Sequence, residues 1–109
     1  MLAGFTALWE FTVEAARRPE FETHYGPDGA WVRLFRRAPG YLGSELLHDR
    51  ADPRRYLTVD RWESPEAWQA FRRQFGAEYE RLDRELEGLA SREAALGEYA
   101  PAGAAPRQA

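Results

Sequence analysis

The sequence predicts one α+β domain with its elements in the order β-α-β-β-α-β, and three observations carry that expectation. Residues 5–13 alternate strictly, with Phe5, Ala7, Trp9, Phe11 and Val13 on one parity and Thr6, Leu8, Glu10 and Thr12 on the other. A period of two, rich in aromatic and β-branched residues, marks a strand. Ser64-Pro65-Glu66 then announces a helix start: Ser accepts from a free backbone N–H, Pro fixes φ where no donor is needed, and Glu faces the positive end. Beyond it Trp68, Phe71, Phe75, Tyr79, Leu82, Leu86 and Leu89 recur at steps of three and four, the apolar stripe of an amphipathic helix.

The remaining elements follow in order. Arg18-Pro19-Glu20 starts the first helix, with proline in the first turn and an acid near the N-terminus. Gly26-Pro27-Asp28-Gly29 interrupts it. Trp31, Leu34, Phe35 and Ala38 resume helical spacing until Pro39-Gly40, so two helical pieces with a joint are expected. Residues 41–49 and 55–63 read as strands two and three, joined through Asp52-Pro53. Gly76 is a point where the second helix bends, and a short last strand is expected over Leu96–Ala100. Residues 1–100 form the domain; Pro101–Ala109 has no periodicity and is expected to be a disordered tail. This order is that of a ferredoxin-like split βαβ sandwich, four antiparallel strands with both helices on one face. Apolar residues occupy both parities: Leu8 opposes Trp9 and Phe11, while Leu57 and Val59 oppose Tyr56 and Trp62. A sheet apolar on both sides calls for cover on both, and a homodimer formed sheet to sheet supplies it.

Composition narrows the function classes. A length of 109 residues allows one domain. The net charge of -3 lacks the basic excess of a nucleic-acid footprint, so no nucleic-acid partner is expected. Cysteine is absent, which excludes disulfides, thiolate metal sites and a cysteine nucleophile. Lysine is absent too, so Schiff-base chemistry on a lysine is excluded. No run approaches the ~20 apolar residues of a membrane span. The first residues lack a basic n-region and carry Glu10 in their apolar run, so neither a signal peptide nor a membrane partner is expected and the expected location is the cytoplasm.

Longer motifs add a resemblance. Tyr25-Gly26-Pro27-Asp28-Gly29-x-Trp31, Phe35-Arg36, Gly40-Tyr41-x-Gly43-x-Glu45-Leu46-Leu47 and the run from Arg55 through Trp62-Glu63-Ser64 together resemble the antibiotic biosynthesis monooxygenase domain family, over residues 5–99. The resemblance implies a dimeric α/β barrel, two sheets packed face to face, with a cavity between helices and sheet in each subunit. It also implies a small aromatic ligand and, as the leading activity, cofactor-independent oxygenation of a phenolic or polyketide-type substrate. There the deprotonated substrate itself reduces oxygen, and the protein supplies a dry pocket and a proton acceptor. A non-catalytic dimeric binding protein and a polyketide cyclase on the same scaffold are the alternatives. Haem-degrading members of such a family place an Asn on the first strand and a Trp and a His ten residues apart in the second helix. The sequence has no Asn, the corresponding helix positions fall near Phe71 and Arg81, and no His follows His48. Haem therefore has no axial nitrogen there, and no cofactor is expected.

Individual residues sharpen these expectations. Asp60 sits in a strand otherwise made of Arg, Tyr, Leu, Thr, Val and Trp. On the helix-facing side with Thr58 and Trp62 it is a desolvated carboxylate of raised pKa, suited to act as a general base; on the other side it pairs with Arg55 or Arg61. Glu10 poses the same choice. His24, just before the helix joint, is the second candidate proton acceptor or else a surface residue. Tyr25, Trp31, Trp62 and Trp9 are candidate substrate-binding residues, whereas Trp68, Phe71 and Phe75 read as core. His48 reads as a sheet or interface residue, and the two histidines lack metal-ligand spacing, so no metal site is expected. The charges between Glu78 and Glu93 read as the solvated back of the second helix.

Overall fold

The protein is described by a computed structural model covering residues 3–103. Its elements are β1 (Phe5–Thr12), α1 (Arg18–Tyr25), α2 (Ala30–Phe35), β2 (Tyr41–His48), β3 (Arg55–Trp62), α3 (Pro65–Gln74), α4 (Gly76–Glu85) and β4 (Arg92–Tyr99), with a single 3-10 turn at Ala15–Arg17. The strands form one antiparallel sheet in the order β2-β3-β1-β4, the ferredoxin-like arrangement expected. Central β1 aligns Ala7 with Asp60 and Trp9 with Thr58 on one side, and Phe11 with Glu93 on the other.

The local signals act as their chemistry requires. Ser64 Oγ accepts from the Ala67 N–H at 3.1 Å, closing the first turn of α3. The long apolar stripe is divided between α3 and α4, and Phe75 joins them in a non-helical conformation just before Gly76. The first helix is likewise divided, because the chain folds back tightly at its joint. A Cβ on Gly29 would stand 2.2 Å from the His24 carbonyl oxygen, so only glycine fits there.

One element differs from expectation. The last strand begins at Arg92, four residues before Leu96, and ends at Tyr99. Arg-Glu-Ala-Ala has little strand propensity of its own; the ladder from Arg92–Thr12 to Tyr99–Thr6 holds it extended. Of the expected tail, residues 101–103 lie outside any helix or strand, and residues 104–109 lie outside the described residues.

Helices cover the face that carries Phe5, Ala7, Phe11, Tyr56 and Trp62. Two apolar clusters form beneath them. One gathers Phe5, Leu34, Phe35, Trp62, Phe71 and Phe75; the other gathers Phe11, Val13, Phe21, Tyr56 and Leu89. Trp68, Phe71 and Phe75 are packed in the first, as the periodicity implies. On the opposite face Leu8, Leu47, Leu57 and Val59 sit among paired charges: Glu10 binds Arg55, Arg55 reaches Asp49 at 3.0 Å, and Glu45 meets Arg61 at 2.6 Å. Among the described residues, no helix is long and apolar enough to cross a membrane.

Candidate functional site

Between the two clusters, the sheet and the helices leave a cavity. About 70 Å³ of it is open to a water molecule, and about 570 Å³ of empty space extends to its mouth. Trp9 and Thr58 form its floor, and Tyr25, Trp31, Phe35 and Tyr79 its aromatic walls. The walls interlock: Trp31 meets Tyr79 edge-on at 5.0 Å and Tyr25 at 6.3 Å between ring centroids.

Asp60 is one of the polar groups that line this cavity. Alternation along β3 turns it to the helix side with Thr58 and Trp62, and its partner is set by an irregularity in β2, where the pairing with β3 slips between Tyr41 and Gly43 and Gly43 takes φ +145°. The slip sets Ser44 directly opposite Asp60, and Ser44 Oγ donates to Asp60 Oδ1 at 2.6 Å. Because that hydroxyl has one proton, the 2.7 Å contact between Tyr41 Oη and Ser44 Oγ must have Tyr41 donating. A relay Tyr41→Ser44→Asp60 results. Burial pushes the Asp60 carboxyl up to about 6, against the opposing pull of the Ser44 hydrogen bond. None of the ion pairs among the described residues includes Asp60; Arg55 and Arg61 bind their acids on the other side of the sheet.

The phenols around the cavity are held neutral. Burial pushes Tyr25 up to about 12, with the Trp31 indole opposing the shift and Glu93 and Asp83 adding to it. Burial raises Tyr79 as well. Both are hydrogen-bond donors at neutral pH. The Trp31 Nε1–H is buried without an aligned acceptor, which leaves one donor at the cavity wall unpartnered.

Of the residues singled out in the sequence, Asp60, Tyr25, Trp31 and Trp9 meet at this cavity. Trp62 does not: it is 0% exposed and packs edge-on against Phe35 and Tyr41 in the core. His24 is half-buried at the end of α1 and is absent from the lining. Glu10 belongs to the opposite face, and His48 stacks on Tyr56 at 4.4 Å with its Nε2 against the Pro53 carbonyl at 2.7 Å. Ser44 and Tyr79 are cavity residues the pattern did not single out. Asp83 and Glu93 border the cavity rather than serving only as solvated charge on the back of a helix. No group of three or more His, Asp or Glu among the described residues is placed to hold a metal ion.

The sequence pattern of the antibiotic biosynthesis monooxygenase family matches residues 4–81. No curated protein matches in sequence. Solved structures of similar fold include SnoaB, a cofactor-independent oxygenase from Streptomyces nogalater, with 23% identity and a TM-score of 0.74 over 96% of this chain and 99% of that one. They include the ActVA-Orf6 monooxygenase of Streptomyces coelicolor in complex with nanaomycin D, with 24% identity and a TM-score of 0.66 over 97% and 94% of the two chains. A variant of MhuD with two manganese protoporphyrin IX molecules per active site shares 24% identity and a TM-score of 0.69 over 94% and 99%. At such identities the likeness is one of fold.

Proposed function

Because the chain belongs to the antibiotic biosynthesis monooxygenase family, we propose that it oxygenates a phenolic, polyketide-type aromatic without a cofactor, using Asp60 as the base. The observation that carries this reading is a carboxylate inside an aromatic cavity, held by one hydroxyl and free of any cation. A group of pKa about 6 is mostly ionised at neutral pH yet basic enough to accept a proton. Among the structures of the same fold, one is a cofactor-independent oxygenase and another holds nanaomycin D, and this cavity has the aromatic walls that suit a flat ligand.

The chemistry follows from the arrangement. A substrate with an activated ring CH₂, of the anthrone type, gives one proton to Asp60. The resulting anion passes one electron to dioxygen, and the substrate radical and superoxide combine to form a C–O bond. Asp60 returns its proton to the peroxide. Loss of the second ring hydrogen and the distal oxygen as water leaves a carbonyl, so one oxygen atom ends in product and one in water. Trp31 and the two neutral phenols donate to substrate oxygens, and the aromatic walls exclude water from the anion. Porphyrin chemistry finds no such support, since α3 and α4 contain no histidine.

The pH profile of oxygen uptake tests the base. Asp60 works ionised, so the rate is expected to rise through pH ~6 and level off above it. A profile flat from about pH 5 to 8 would remove a carboxylate from the mechanism.

We infer that the open face, with Leu8, Leu47 and Leu57 and its paired charges, buries itself against a second copy. The interface expected is above ~1,000 Å² in total. Sedimentation equilibrium at micromolar concentration should return twice the 12.5 kDa chain mass; a monomer there would count decisively against the pairing.

A further inference from the structure

Given the aromatic occupant proposed above, the charge around the cavity bears on the substrate it takes. Besides Asp60, Asp83 from α4 and Glu93 from β4 border the cavity. Glu87, in the turn between those elements, is near enough that it and Asp83 both push the Glu93 carboxyl up, beyond the effect of burial. Glu45 also borders the cavity, but its carboxylate is occupied by Arg61 at 2.6 Å. Asp60, Asp83, Glu87 and Glu93 have no ion-pair partner among the described residues.

Among the described residues no arginine lines the cavity, although the chain has fifteen arginines and no lysine. Two arginines act on residues of or near its wall without lining it. The Arg72 guanidinium lies 4.1 Å from the centroid of the Tyr79 ring and 5.7 Å from that of Trp68, and Arg36 acts on Tyr41. The cavity therefore has aromatic walls and a rim whose acids Asp83 and Glu93 form no ion pair among the described residues. Proton transfer from substrate to Asp60 leaves the total charge of this space unchanged. A carboxylate carried in by the substrate adds to it and meets like charge from two exposed acids at the rim, a repulsion that salt screens.

We propose that Asp83 and Glu93 select the substrate by charge: the cavity takes phenolic aromatics that carry no carboxylate and favours those that present an alkylammonium at the rim. An ammonium there gains attraction to both acids. A carboxylic acid is admitted only once it is masked, as an ester or amide. The class of reaction that supplies the substrate is then one that esterifies or amidates such an acid.

A matched trio of ligands tests this: a hydroxynaphthalene bearing a carboxylate, its methyl ester, and the corresponding aminoethyl amide. Binding is read at pH 7.5 from quenching of tryptophan fluorescence, since Trp9 and Trp31 line the cavity. The ester should bind about tenfold more tightly than the acid, and the amine more tightly than the ester. Added salt should narrow the spread in the unaltered protein. The double substitution Asp83→Asn, Glu93→Gln should bring the ester-to-acid ratio toward one. An acid that binds as well as the ester, a ratio unmoved by both salt and the double substitution, or no binding of ester and amine, each overturns the proposal. Oxygen uptake is scored separately with an anthrone-type substrate that carries no carboxylate: no uptake there with the affinity order intact would count against the oxygenase and leave the charge selection standing.

Discussion

Replacing Asp60 with asparagine is expected to slow oxygen uptake by a factor on the order of 10²–10⁴, the loss typical of removing a positioned general base. The same change should make the protein more stable at neutral pH. In the folded chain the carboxyl titrates at about 6, against an ordinary value of 3.8. Between those two values the folded state keeps a proton that the unfolded state has released, so stability falls as pH rises through that window. Above pH ~6 the full cost of holding a buried charge is present. Two units correspond to ~3 kcal/mol, and the edge of Asp60 open to cavity water lowers this to on the order of 1–2 kcal/mol. Asparagine retains an oxygen to accept from Ser44 and carries no charge. Loss of rate with gain in stability therefore separates a lost base from a damaged fold. An Asp60→Asn variant with wild-type uptake would exclude the carboxylate from the chemistry.

Truncating Trp62 should produce the largest loss of stability. Its ring is enclosed by Phe35, Tyr41, Trp68 and Phe71, with centroids 5.2 to 5.6 Å away. Trp62→Ala should cost about 3–5 kcal/mol, a large part of the 5–15 kcal/mol typical of a small domain. Trp62→Phe should cost far less. The indole Nε1–H is buried with no acceptor, so removing it relieves an unmade hydrogen bond and offsets part of the lost packing. Urea denaturation with an unchanged m-value checks both. Ligand affinity of the phenylalanine variant should stay at the wild-type level, because Trp62 lies behind the cavity wall; a clear loss of binding would place the indole at the ligand after all.

These residues show which signals reside in sequence and which do not. Ser64-Pro65-Glu66 is readable because a helix cap is made within four residues. Asp60 stands out because a charge in an apolar strand must have a reason. Trp62 and Trp9 are not distinguishable in this way: apolar residues occupy both parities, and Trp62 and Trp9 face the same side of the sheet at different depths. Only the packing of α2 and α3 decides that one is core and the other cavity floor. Ser44 could not be found from alternation, since the slip near Gly43 shifts the parity of β2 at that point. Tyr79 reads as one more member of an apolar stripe, and Glu93 as one more surface acid. Each becomes a cavity residue through elements far apart in the chain. The same holds for the start of β4, which its partner strand sets.

The joint between α1 and α2 fixes the directions of two rings. Tyr25 ends α1 and Trp31 is the second residue of α2. In one unbroken helix, six positions at about 100° each would leave them pointing roughly 120° apart, and the two rings would not face the same space. The tight turn at Gly26–Gly29 undoes that rotation and lets both face the same space. The shape of the cavity is thus written in the length of a loop as well as in the identity of its side chains. One residue added to or removed from that loop would change the direction from which Trp31 meets the cavity without altering any lining residue, a route to new substrate shapes that point substitution does not offer.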